Sequence, residues 1–451
     1  MSSIKISSTG CLAIAFPNGN VGVFDLNNGL SWKYLQSESM DNQLENKNEN
    51  RHSMKFSPNG HILVFAGRNQ QLNLYVQIDS CWQFKRIILI QTMIITLDLT
   101  DEFLLIADQN GHVYKIDLLS DNENKQIIFS EESCLMKHSS MLLDIAFIHL
   151  NKNISMILTV DQENRICLKS YPNISHQVNY CLGHQDIISQ VKFIDHHHLL
   201  SASADGTLRL WYLPNCIPLA FIHCKAFILS TKEIFYTELY DCNYGTSRDN
   251  YQINIQLQEN GDPVINYSIW KMDVASFGLF DANVYIALSI YSQRFHSIYL
   301  TNLLNIKDFT NTQRKLTFDS TYGTIVDYCF PSKEIRFNDH VADKKCYLYV
   351  LFDSNVLLKV DILSILSTHQ SELFAQTDKH IQEINTLLAS NEFDSISCNH
   401  ENFESDNIVY NQLGENLNNS TKCLSSKHKL EDEVEEQQRK KRVSYQYDET
   451  L

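Results

Sequence analysis

The residues best suited to do chemistry in this chain of 451 residues are a histidine tract, scattered cysteines, a charged turn, and a polar set that ends in a tryptophan. His196-His197-His198 has the look of a metal tract. Neighbours on an extended chain point to opposite faces, so three in a row cannot easily share one ion. The tract reads instead as a solvated loop between two strands. The 12 cysteines contain no C-x-x-C pair. That favours reduced thiols in the cytosol or nucleus over a disulfide framework or a zinc site. Cys134, Cys167 and Cys181 lie near strands and read as small core hydrophobes. There is no glycine-rich phosphate loop, no G-x-S-x-G and no H-E-x-x-H. A hydrolase would need acidic or histidine residues converging on one point, and no repeated set of that kind is present. No residue therefore reads as catalytic, cofactor-binding or metal-ligating. Two sets remain. His184, Ser201 or Ser203, Asp205 and Trp211 are spaced to form one buried hydrogen-bond chain, which would fix a single arrangement of strands and turn. Asp161, Glu163, Arg165 and Lys169 lie in or beside one β-turn, and such a charged row suits a polar interface with a protein partner.

The elements that must position these sets are strands. Cys181 to Tyr212 reads CLGHQDIISQVKFIDHHHLLSASADGTLRLWY, with Gly-His at its start, an Asp205-Gly206 turn and Trp211 near its end. This is the pattern of a WD repeat. One such unit cannot bury its own faces, so others must accompany it. Strand–turn–strand units recur at Leu12–Leu26, at the hairpin ending near Val76, at the one ending at Leu118, and at the one ending at Tyr171. Further hairpins fit Val284–Leu300 and Cys346–Leu363. The expectation is an all-β, seven-bladed WD40 β-propeller over residues 1–365, with a disordered polar loop at 36–51. Beyond it, Leu366, Leu373, Phe374, Ile381, Ile384, Leu387 and Leu388 recur at helical spacing, which predicts a C-terminal helix over 366–390, outside the propeller. Residues 391–451 read as a mostly disordered tail, with a short helical candidate from Lys429 to Val443. Within it Arg439, Lys440, Lys441 and Arg442 form a basic cluster of nuclear-localisation type. The net charge of −16 argues against nucleic-acid binding by this chain alone. No signal peptide is expected. The longest apolar run, Ile87 to Leu99, is too short to span a bilayer.

Lys137 to Trp211 narrows the reading. The stretch resembles the non-catalytic WD-repeat subunit family of tRNA (guanine-N7)-methyltransferases. Ser140, Met141, Leu142, Leu143 and Asp144 match that family's S-M-L-L-D. Ile157, Leu158, Thr159, Asp161, Ile166 and Pro172 match its next strand pair, with Glu163 a like-charged replacement. Cys181 to His184 match C-L-G-H, and Leu199 to Trp211 match L-L-S-x-x-x-D-G-T-L-R-L-W. Lys137 stands where the family has glycine, and Gln162 and Cys167 stand at two usually basic positions. Arg165 keeps a positive charge, and Lys169 adds one where the family has serine. The resemblance implies a scaffold in a heterodimer. A separate catalytic subunit would bind S-adenosylmethionine and methylate N7 of a variable-loop guanine, and this chain would need no cofactor. It would stabilise that subunit and help position tRNA, which it would meet mainly through the complex. The resemblance also places Asp161, Glu163, Arg165 and Lys169 against the partner, and the complex in the nucleus, with the cytoplasm as a second location. No membrane association is expected. Without the resemblance, the propeller suits a generic nuclear WD40 scaffold or a ubiquitin-ligase substrate receptor.

Overall fold

The computed structural model describes residues 3–16, 20–27, 32–35, 53–66, 71–118, 126–174, 178–224, 268–276, 284–291, 297–303, 311–331, 346–367 and 379–389. Chain contacts separate Met1–Glu45 with Glu49–Ser397 from Asn46–Asn48 with Cys398–Leu451. The second unit, with the basic cluster at 439–442, lies outside the described residues, as does the polar loop expected at 36–51.

The first unit is a seven-bladed β-propeller. Blade one is β1 (Ser3–Ile6), β2 (Cys11–Ala15), β3 (Val21–Asp25) and β4 (Trp32–Leu35). Blade two is β5 (Ser53–Phe56), β6 (Ile62–Ala66), β7 (Gln71–Ile78) and β8 (Cys81–Ile90). Blade three starts with β9 (Ile94–Leu99), β10 (Phe103–Asp108) and β11 (His112–Asp117). The chain then departs: β12 (Gln126–Phe129) joins blade two as a fifth strand, parallel to β8. Only the two-residue β13 (Met136–Lys137) returns to edge blade three. Blade four is β14 (Leu142–Asn151), β15 (Ile154–Asp161), β16 (Ile166–Tyr171) and β17 (Val178–Cys181). Blade five is β18 (Ile188–Phe193), β19 (His198–Ser203), β20 (Thr207–Tyr212) and β21 (Ile217–His223). Blade six is β22 (Ile269–Ser276), β23 (Val284–Ile290), β24 (Ser297–Leu303) and β25 (Asn311–Thr317). Blade seven has three strands among the described residues, β26 (Ile325–Cys329), β27 (Tyr347–Phe352) and β28 (Leu357–Asp361), followed by α1 (Ile362–Ser367) and α2 (Lys379–Ala389).

The second strand of a blade lies between neighbours on both faces, so it is apolar throughout rather than alternating. CLAIA in β2 and VYIALSI in β23 are buried at every position. The run Ile87 to Leu99 proves to be the end of β8, a short connection, and β9.

A recurring hydrogen bond joins the innermost strands. Asp98 Oδ2 accepts from Phe147 N at 2.6 Å, and Asp144 Oδ2 from Val191 N at 3.2 Å. Gln190 Oε1 accepts from Met272 N at 2.7 Å. Asp273 Oδ2 accepts from Phe330 N at 2.7 Å, and Asp327 Oδ2 from Ile4 N at 2.8 Å, which closes blade seven onto blade one. Lys55 pairs with Asp98, Lys192 with Asp273 and Lys271 with Asp327. Blades three to seven thus each satisfy a backbone donor of the next.

Helix α2 packs on the propeller rather than standing off it. Ile381, Ile384 and Leu388 are buried against Ile4, Leu12, Tyr349 and Leu357 of blades one and seven. Asn385 pairs with the β28 backbone as a strand would: its Oδ1 accepts from Leu357 N at 2.8 Å and its Nδ2 donates to Leu357 O at 3.0 Å. Open sheet edges need such cover. Asn385→Ala leaves both backbone groups unpaired and is expected to cost about 1–3 kcal/mol in a urea titration. An unchanged midpoint would show that this edge does not depend on the helix.

Candidate partner interface

In blade five the polar set closes as a chain. His184 Nδ1 lies 2.9 Å from Asp205 Oδ2, and His184 Nε2 lies 2.7 Å from Ser201 Oγ. Trp211 Nε1 donates to Ser201 Oγ at 2.8 Å. Ser203 is not in this chain; its Oγ donates to Asp186 O and accepts from Asp205 N. Burial alone would raise the Asp205 carboxyl, but hydrogen bonds from His184, Thr207 and Gln185 N outweigh it and hold the carboxyl well below the usual range. Trp211 is fully buried and packs with Leu158, Val160 and Leu168 of blade four, so this chain also sets how blade five sits against blade four.

Blade four carries the same plan with different residues. Glu163 stands at the turn where blade five has Asp205, Lys169 stands six residues on where it has Trp211, and Thr159 stands where it has Ser201. His138 precedes β14 as His184 precedes β18. With threonine in place of the serine and lysine in place of the tryptophan, His138 Nε2 is buried without a hydrogen-bond partner, as are Ser140 Oγ and Asn164 Oδ1. Asp161 turns to its own loop. Its Oδ1 accepts from Glu163 N at 2.9 Å and Arg165 N at 3.1 Å, and its Oδ2 accepts from Arg165 Nε at 2.8 Å. Arg165 Nη2 also reaches Glu163 Oε2 at 2.7 Å. Burial would lower the Arg165 guanidinium, but Asp161 and Glu163 raise it. Asn164 makes the bend at φ 63°, in the left-handed region that asparagine tolerates. Asp161 is thus a buried brace at 4% exposure, while Glu163 is exposed and Arg165 and Lys169 are half-buried. Gln162 N donates to Met141 O at 3.1 Å, tying this turn to the loop that carries His138 and Ser140.

Burial lowers the His138 imidazole to about 4, with Lys169 and Arg165 also opposing its protonation and Asp161 favouring it. An unfolded histidine binds a proton near pH 6.5, and the folded one does not until about pH 4. The contribution of His138 to stability is therefore constant above pH 6.5 and falls as pH drops from 6.5 towards 4. His138→Asn is expected to lose less stability than wild type between pH 7 and pH 5 in denaturant titrations; equal losses would contradict this environment.

The histidine tract makes local contacts. His198 Nδ1 pairs with Asp195 at 2.8 Å, His196 Nδ1 lies 2.8 Å from His149 O, and His197 stacks on Tyr212. Among the described residues no cluster of histidine, cysteine, aspartate and glutamate is arranged to hold a metal ion. Cys167 and Cys181 are buried and Cys134 is half-buried. The inter-blade ring Asp98, Asp144, Asp273 and Asp327 was not singled out from the sequence. Its signal is an aspartate between two apolar residues of an inner strand, as in Leu97-Asp98-Leu99 and Met272-Asp273-Val274.

Fold and polar network together define a WD40 β-propeller whose fourth blade has exchanged its internal network for a charged, outward-facing turn. Residues 121–257 match the family described as the tRNA methyltransferase TRM82 WD40 domain. Over part of its length the chain is similar to proteins named as tRNA (guanine-N(7)-)-methyltransferase non-catalytic subunits. It is 26% identical over 176 residues to wdr4 of Dictyostelium discoideum, covering 35% of this chain and 36% of that one. It is 32% identical over 120 residues to WDR4 of Homo sapiens, covering 26% of each. It is 33% identical over 107 residues to wuho of Drosophila grimshawi, covering 24% of this chain and 25% of that one. The aligned stretch thus spans about a third or less of the length of these relatives. Among solved structures, the WD40 β-propeller domain of Doa1 is similar with a TM-score of 0.45 and 10% identity, over 77% of this chain and 88% of that one.

Proposed function

We propose that this chain is the non-catalytic subunit of a two-protein tRNA (guanine-N7)-methyltransferase. The observation that carries the reading is the family match over residues 121–257, which takes in blades four and five and the Asp161–Arg165 turn. In this reading a separate catalytic subunit binds S-adenosylmethionine and methylates N7 of a guanine in the tRNA variable loop. The propeller holds that subunit in its active conformation and helps to place the tRNA. Glu163, Arg165 and Lys169 meet complementary charges on the partner, and Asp161 braces the turn that presents them. A net charge of −16 repels phosphate, so the catalytic subunit supplies most of the basic RNA surface. The complex works in the nucleus and also in the cytoplasm, with Arg439, Lys440, Lys441 and Arg442 as the import signal.

The test is co-expression with the catalytic subunit, followed by a tRNA N7-methylation assay. The expected outcome is a stable heterodimer with activity that this chain alone lacks. Turnover or S-adenosylmethionine binding by the purified chain would overturn the reading. Capture of a ubiquitin-ligase adaptor in place of the methyltransferase would move the chain to the substrate receptors.

A further inference from the structure

None of the cysteines among the described residues is in a disulfide. Two of them meet across the seam between blades four and five. Cys181 ends β17, and Cys216 lies in the turn between β20 and β21. Both are buried in one apolar cluster with Leu168 and Leu213, and their thiols lie within hydrogen-bonding reach of each other. A second contact spans the same seam. Asn179, two residues before Cys181 on the same face of β17, donates through its Nδ2 to Pro214 O at 2.9 Å. Cys216 Sγ donates to that carbonyl at 3.7 Å. Along its backbone β17 pairs only with β16, so side chains alone hold this outer strand against blade five.

The two thiols differ in a way that gives them separate roles. Cys216 is 8% exposed and Cys181 1%, so a small oxidant reaches Cys216 first. The Cys181 S–H bonds to the Cys216 sulfur, which lowers the Cys216 thiol from its usual value against the opposing effect of burial. The same bond, together with burial, raises Cys181 and keeps it protonated. The thiolate is the reactive form of a cysteine. Cys216 is therefore the sulfur to be oxidised and Cys181 the one that resolves it. Among the other described cysteines, burial raises Cys224, Cys329 and Cys346, and no neighbouring thiol offsets it.

We infer that Cys181 and Cys216 are a reversible redox pair, which a hydroperoxide closes into a disulfide that staples the outer strand of blade four to blade five. In the first step the Cys216 thiolate attacks one peroxide oxygen. The O–O bond breaks, a sulfenic acid forms on Cys216, and the other oxygen takes up a proton and leaves as water. In the second step the Cys181 sulfur displaces the sulfenic hydroxyl. The S–O bond breaks, the S–S bond forms, and the hydroxyl leaves as water with the Cys181 proton. Two electrons pass from the thiols to the peroxide, and a dithiol reductant returns them. The sulfurs need only close from hydrogen-bonding reach to a bond of about 2 Å. The staple restricts the unfolded chain and holds an edge strand of the kind that opens locally. It acts on the fold itself, whatever partner the propeller carries.

The experiment treats the folded, full-length chain, reduced and freed of reductant, with hydrogen peroxide. The chain is then alkylated and digested with trypsin without reduction. Lys169, Lys192, Arg209 and Lys225 place the two cysteines in separate peptides, Cys181 alone in one and Cys216 with Cys224 in the other. The expected result is a crosslink between these peptides, located at Cys216 by fragmentation. It disappears in Cys181→Ser and in Cys216→Ser and persists in Cys224→Ser. In Cys181→Ser, a 1,3-dione probe traps the stranded sulfenic acid on Cys216. Oxidised wild type unfolds at a higher urea midpoint than reduced wild type, and dithiothreitol abolishes the difference. Should a serine variant fail to fold, the wild-type peptide map and midpoints decide alone. No crosslink at peroxide concentrations that oxidise the exposed Cys81 would overturn the pair, as would a crosslink of Cys181 to Cys167 or to any other cysteine. A crosslink that leaves the midpoint unchanged or lowers it would overturn the staple.

Discussion

Trp211→Ala is expected to destabilise the propeller by about 3–5 kcal/mol, the usual range for deleting a buried aromatic side chain. Trp211 is fully buried between blades four and five, and its Nε1 donates to Ser201 Oγ, which in turn meets His184. The substitution leaves a cavity on one side and shortens a buried polar chain on the other. Trp211→Phe separates the two terms. It keeps most of the apolar volume and loses only the N–H, so it is expected to cost about 1–3 kcal/mol. Urea titrations of the two variants beside wild type make the comparison. Equal costs would mean that the hydrogen bond rather than volume decides, and no cost in either would mean that this segment is not a packed blade.

The second large effect is expected at the charged turn. Reversing Glu163 and Arg165 together would be the direct test of the charge row, but Arg165 also pairs with buried Asp161 through its Nε at 2.8 Å. Reversing it would place carboxylates together inside the turn and confound folding with binding. Glu163→Lys combined with Lys169→Glu reverses two charges and leaves the brace intact. Loss of charge pairs desolvated in an interface can cost roughly 2–5 kcal/mol, more than tenfold in affinity. The expected result is that loss in a titration against the catalytic subunit, with a melt close to wild type. Unchanged affinity would place the partner's contacts away from this turn.

Much of the fold was legible because the central hairpin of each blade has a strong local signal. β2 with β3, β10 with β11, and β19 with β20 each join apolar strands through an Asn, Asp or Gly turn. The inner and outer strands were harder to see. Ile87 to Leu99 is one apolar run in sequence, yet it ends one blade and begins the next. Periodicity within the run carries no mark of that change. The parallel pairing of β12 with β8 lay beyond reach for a related reason, since Gln126–Phe129 holds no residue that states which neighbour it joins. The helix was legible as an apolar stripe, but its docking rests on Asn385, a polar residue whose role depends on Leu357 some 28 positions away.

The charged turn was legible in part. The spacing of Asp161, Glu163, Arg165 and Lys169 pointed to one surface row, and three of the four do reach solvent to some degree. The division of labour among them needed coordinates. Asp161 accepts hydrogen bonds from two backbone N–H groups and the Arg165 Nε, which makes it the support of the turn. The cause lies in blade four's altered network, where Thr159 and Lys169 stand in place of the serine and tryptophan that blade five keeps. Lining up the two blades in sequence exposes that exchange, whereas reading blade four alone does not.

The proposed role as the non-catalytic half of a tRNA (guanine-N7)-methyltransferase is tested most directly by single-turnover N7-guanine methylation of tRNA by the purified catalytic subunit, this chain, and their complex, each with S-adenosylmethionine present. The account predicts methylation by the complex, none by this chain, and at most weak methylation by the catalytic subunit alone. Full activity of the catalytic subunit without this chain would contradict it.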